Sequence, residues 1–218
     1  MEAENRMEDK ARMEDQESFG SWIKWMFQTF FLRLLGINLV FLICCVPVAT
    51  IPAAMCGMHA VIQRFYRNQL ASAVTSTFFR EFLTSFVKRT VIFWTVALVP
   101  AALMLLTSSI LSGAVWYALA GLLVVAALLV LSWFVPQLVL LNLTTGQALK
   151  NALILTLLEP RTNFALMVIH AVSLTVMIFG LPLTGFLLLI LPVFLTVLTT
   201  GITMPVLQKY LVQTEDTL

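Results

Sequence analysis

Chemistry in this 218-residue chain would have to come from very few side chains. The nucleophilic or titratable residues within its apolar stretches are Cys44, Cys45, Cys56, His59 and His170. The cysteines lack C-x-x-C spacing, and two isolated histidines complete no zinc set. A free thiol is a common small core group, so all three are read as structural. Between residues 18 and 214 there is no Asp, and the only acids are Glu81 and Glu159. Proton relays and ion-coupled carriers generally place a carboxylate within a span. H-E-x-x-H, G-x-S-x-G and glycine-rich phosphate-loop patterns do not occur either. The reading is therefore a non-enzymatic chain with no catalytic residue, cofactor site or metal site.

What remains inside the apolar stretches is neutral and polar. Asn38 is expected to face other helices and bond across them, because an amide facing lipid is costly. Gln137, beside Pro136, is expected to satisfy backbone groups freed by a proline kink. With His59 and His170 these are the candidate intramembrane polar residues. Glu81 and Glu159 are expected to form ordinary interface pairs with Lys88 and Arg161, each worth little.

The elements that hold these residues follow from the distribution of charge. The chain is 60% apolar and only 11% charged, against about a quarter charged in ordinary soluble domains; its mean hydropathy is +0.96. The 60 residues from Thr90 to Leu149 contain no charge, nor do the 47 from Thr162 to Gln208. A helix crosses the hydrocarbon core in about 20 residues, so each run holds two crossings. Thr107–Gly113 divides the first run and Gly180–Gly185 the second. The expected fold is an all-α polytopic membrane bundle, residues 19–208, with spans near 34–51, 53–67, 90–108, 114–141, 164–180 and 184–205. A re-entrant hairpin competes with a span at 53–67.

Six crossings place all ten cations of this body on one side, including Arg64, Arg67, Arg80, Lys88 and Arg89 between the second and third spans. The positive-inside rule makes that side cytoplasmic, with both termini there. Arg64, Arg67, Lys88 and Arg89 are expected to act as membrane anchors whose long side chains reach the headgroups. The cations are dispersed over several membrane-adjacent segments, so anionic lipid and not nucleic acid is the expected counter-charge. Residues 1–18 carry seven carboxylates and three cations and are expected to form an acidic cytoplasmic tail, disordered or a frayed helix. Residues 209–218 form a short C-terminal tail in the same compartment.

Each pair of spans follows an amphipathic stretch. Phe78, Phe79, Phe82 and Phe86 share one face, with Arg80, Glu81 and Lys88 opposite, the pattern of a helix lying in the membrane interface. A second begins at Thr144, whose spacing to Gln147 suits a capping box. A third, at Trp22–Phe31, is rich in tryptophan. Three such units in succession suggest a parallel repeat of helical hairpins.

The stretch Asn38-Leu-Val-Phe-Leu-Ile-Cys-Cys-Val-Pro-Val-Ala-Thr-Ile-Pro-Ala-Ala54 resembles the opening of the YesL family of bacterial membrane proteins, and Phe78–Lys88 resembles that family's aromatic and basic helix. The likeness runs over residues 20 to 205. It implies a small multi-pass protein of the bacterial cytoplasmic membrane, an accessory to an ABC-type carbohydrate importer, with permease subunits as partners. It supplies no catalytic residues. His59, where an aromatic is common, and the long acidic N-terminus depart from the pattern. Contact with the permease is expected through Phe78–Lys88, and a homo-oligomer stays open. A stand-alone small-solute carrier, its path lined by Asn38, His59 and Gln137, is the alternative, followed by a membrane sensor or assembly factor.

Overall fold

The computed structural model describes residues 19–67, 74–84, 86–107, 113–141, 143–179 and 190–215. All regular elements among them are helical: α1 (Phe19–Cys44), a 3-10 turn (Val48–Thr50), α2 (Ile51–Tyr66), α3 (Val74–Leu83), α4 (Phe86–Thr107), α5 (Ala114–Leu140), α6 (Thr145–Leu158), α7 (Pro160–Phe179) and α8 (Leu191–Glu215). The acidic tail at 1–18 and the turn at 180–185 lie outside the described residues.

Three helices are each long and apolar enough to cross a membrane: Gly20–Cys44, Trp116–Leu140 and Leu191–Tyr210. Two bent pairs, α3 with α4 and α6 with α7, raise the number to five if each pair forms one span. The chain is thus an all-α membrane protein whose long helices contact lipid. The first span differs from the expected 34–51. Helix α1 starts at Phe19 and stops at Cys44, so the tryptophan-rich lead-in is its N-terminal half and not a separate interface helix. Pro47 explains the stop, since the residue before a proline disfavours helical backbone. Thr50 then staples the turn, its hydroxyl within reach of Cys44 O and 2.6 Å from Pro47 O. At the other end of the chain, α8 runs on to Glu215 through most of the expected C-terminal tail.

Helix α2 is the centre of the bundle. Its 16 residues rise about 24 Å, short of the ~30 Å hydrocarbon core. Twelve of them are buried, so its outside is protein and not lipid. Two apolar clusters meet on it. One joins Met26, Phe30, Leu34 and Ile37 of α1 to Met58, Ile62 and Phe65 of α2, Phe78 of α3, and Val193 and Val197 of α8. The other joins Cys56 to Phe93, Trp133, Phe134 and Leu138, and to Ala148, Ala152, Leu166 and Leu207.

Two of the three amphipathic lead-ins are separate helices. Helix α3 meets α4 at 73°, and α6 meets α7 at 100°. The expected capping box is present at the start of α6. Thr144 Oγ1 accepts from Gln147 N at 3.4 Å, and Thr144 N donates to Gln147 Oε1 at 3.2 Å.

Candidate functional site

The polar groups of the bundle gather around α2. His59 and Gln63 are four residues apart, hence on one face. His59 Nδ1 lies 3.1 Å from Thr200 Oγ1 of α8, and Gln63 Nε2 donates to Pro136 O of α5 at 3.1 Å. This face of α2 is therefore held between α5 and α8. The Gln63 contact lay unread in the sequence, although its i+4 spacing from His59 marks the shared face.

Gln137 does not take the role expected of it. It is fully buried, and neither amide atom has a hydrogen-bond partner among the described residues. Gln63, from another helix, donates to the carbonyl of the neighbouring Pro136. Asn38, in the last third of α1, is fully buried, as an amide within a span requires. His170 belongs to a separate contact, with Nδ1 donating to Leu166 O at 2.7 Å and Nε2 lying 3.3 Å from Ser132 Oγ. Asn163 is a further structural tie: its Oδ1 accepts from Trp133 Nε1 at 2.7 Å and its Nδ2 donates to Thr156 O at 2.7 Å, joining α5, α6 and α7.

The amphipathic stretch 78–88 is not one helix. It breaks at Thr84, and α4 begins at Phe86. Its aromatic face is also divided. Phe78 is buried against Gly57, where an added Cβ would stand 2.8 Å from the ring and 2.9 Å from the Phe78 carbonyl oxygen. Only a glycine lets α3 approach α2 this closely. Phe82 and Phe86 are half-buried, whereas Phe79, Leu83 and Val87 are exposed together with Arg80 and Lys88.

The ion pairing differs in kind from the expected surface pairs. Glu81 Oε2 lies 3.4 Å from Arg89 Nη1, not against Lys88, and the Arg89 side chain is only 6% exposed. The same Nη1 donates to the Glu81 carbonyl at 3.2 Å. Arg89 is thus an internal clamp across the α3–α4 elbow and not a headgroup anchor. Arg64 is half-buried and donates to Thr77 Oγ1 at 2.7 Å. Arg67 and Lys88 are exposed, as anchors must be. Glu159 accepts from Tyr210 Oη at 2.9 Å and from Thr162 Oγ1 at 3.5 Å, tying the α6–α7 junction to α8 in place of the expected pair with Arg161.

Two cavities adjoin the elbow. One, about 220 Å³, is lined on its polar side by Gln63, Arg64, Arg67, Thr77, Arg80 and Glu81. The other, about 590 Å³, lies between the start of α4 and the α5–α6 turn and includes Lys88, Arg89 and Thr144. Neither is lined by Asn38, His59 or Gln137. No cluster of three metal-ligating side chains occurs among the described residues.

No curated protein and no solved structure matches the chain. Residues 34–106 match a family model described as a protein of unknown function, DUF624. The matched region runs from the middle of α1 to the end of α4. Over that third of its length, which carries the Gly57–Phe78 contact, the Arg89–Glu81 clamp and the whole polar wall of the smaller cavity, the chain is similar to the DUF624 family.

Proposed function

We propose that the chain is a non-catalytic membrane subunit of the YesL type, with six spans counting α2 and both termini cytoplasmic, that docks on the permease of a carbohydrate importer of the ABC class. The observation that carries the docking is the α3–α4 elbow. It is braced internally by Phe78 on Gly57 and by the Arg89–Glu81 clamp, and so holds a fixed shape. Its outer side presents Phe79, Leu83 and Val87 with Arg80 and Lys88. Aromatic residues and arginine are enriched in interfaces, whose rim is polar. The carbohydrate assignment rests on the resemblance of Asn38–Ala54 and Phe78–Lys88 to the YesL family.

The test is purification of the tagged full chain from its native membrane in a mild detergent, with co-purifying proteins identified by mass spectrometry. Permease subunits should be recovered, and Phe79→Ala with Lys88→Glu should deplete them without reducing the yield of the chain itself. Recovery of the chain alone would overturn the reading.

A stand-alone carrier is the second reading, favoured by the buried amide of Gln137, which has no hydrogen-bond partner among the described residues. It requires solute flux in liposomes that contain this protein only. Sealed vesicles showing no flux for a panel of sugars would eliminate it.

A further inference from the structure

Among the described residues, those lining the smaller cavity carry more positive than negative charge. Three guanidinium groups, Arg64, Arg67 and Arg80, face it beside a single carboxylate, Glu81. That carboxylate is already engaged: Oε2 lies 3.4 Å from Arg89 Nη1 and Oε1 lies 3.8 Å from Arg80 Nε. Among the described residues no carboxylate pairs with Arg64 or Arg67. The adjoining sequence cannot supply one, because residues 68–73 are Asn-Gln-Leu-Ala-Ser-Ala.

The cationic wall is also positioned. Thr77, itself buried, holds one arm of the Arg64 guanidinium at 2.7 Å and leaves its other N–H groups free to donate. Gln63 is fixed by its bond to Pro136 O, and Val139 and Leu140 of α5 close the apolar side. The pocket, about 220 Å³, is half open to the outside. Guanidinium forks match phosphate oxygens two at a time, and basic pockets between membrane helices bind anionic headgroups.

We propose that this cavity binds a phosphate ester group, presented by an anionic lipid headgroup or by a soluble phosphate compound. The site holds whether or not the elbow docks on a permease, and its test does not depend on any partner.

Full-length protein in a neutral detergent would be followed by thermal unfolding in two arms. One arm compares inorganic phosphate with chloride at matched ionic strength; the other compares micelles containing phosphatidylglycerol with micelles containing phosphatidylcholine. At least one arm should raise the midpoint in a saturable way. A response in the phosphate arm identifies the soluble source, and a response confined to the lipid arm identifies the headgroup. Arg64→Gln with Arg67→Gln should raise the half-saturating concentration about 10-fold or more, whereas Lys150→Gln, an exposed cation outside the cavity, should leave it unchanged. If the double variant does not fold, Arg67→Gln alone, at an exposed position, should still weaken binding about threefold. No shift in either arm overturns the proposal, as does equal weakening by Lys150→Gln. Anion binding that emerges only when the seven carboxylates of residues 1–18 are changed to amides assigns the pocket to that tail and also overturns it.

Discussion

Helix α5 passes through two different environments. From Tyr117 to Leu128 most of its side chains are exposed, the large apolar groups Tyr117, Leu119, Leu122 and Val124 among them. From Val130 to Leu138 nearly every side chain is buried, including Trp133, Phe134 and Gln137. The same apolar composition thus serves two purposes. In the first half it meets lipid, which is as apolar as leucine and rewards no particular shape. In the second half it meets protein, where packing is dense and polar groups must find one another. Specific structure in this protein is concentrated where α2, α3 and the second half of α5 converge.

Substitutions in the converging region should therefore be costly and those in the lipid-facing half nearly silent. The largest effect is expected for Arg89→Met, which leaves Glu81 charged and partly buried. Unfolding in detergent should show a loss of about 3–5 kcal/mol, much of it recovered by adding Glu81→Leu. A loss below about 1 kcal/mol, the value of an exposed pair, would place the clamp in solvent. Next is Gly57→Ala, whose new methyl must displace the Phe78 ring and backbone. An overpacking cost of about 1–3 kcal/mol should appear as a lowered midpoint, together with easier proteolysis at the elbow. Thr144→Ala removes half of the capping box at the start of α6 and should cost about 1 kcal/mol in the same assay. The smallest change is expected for Leu122→Ala in the lipid-facing half of α5, within about 0.5 kcal/mol. A large destabilisation there would show that protein, such as a second copy, covers that face.

The sequence exposed the parts of this architecture that depend on periodicity and punctuation. The capping box at Thr144, the separate lead-in before α7 and the burial of Asn38 were all readable, because each follows from residue type and short spacing. The clamp and the cavity were not. Glu81 stands seven residues from Lys88 and eight from Arg89, and either pairing is allowed until the break at Thr84 sets the 73° turn. The amphipathic pattern of 78–88 likewise reads as a continuous helix, since nothing local reveals that Gly57 will receive Phe78. Gln63 and Gln137 show the same limit. Both are amides on apolar helices, and only the packing of α2 on α5 decides which of them reaches the Pro136 carbonyl.

The central position of α2 carries a consequence for how the protein is made. Its two polar anchors find partners far along the chain: Pro136 lies 73 residues after Gln63, and Thr200 lies 141 residues after His59. Chains emerge from the ribosome at about 5–20 residues per second, so His59 waits about 7–28 s for its threonine. During that interval the face of α2 that carries His59 lacks its α8 partner. The arrival of α8 therefore completes the packing of an element made in the first third of the chain.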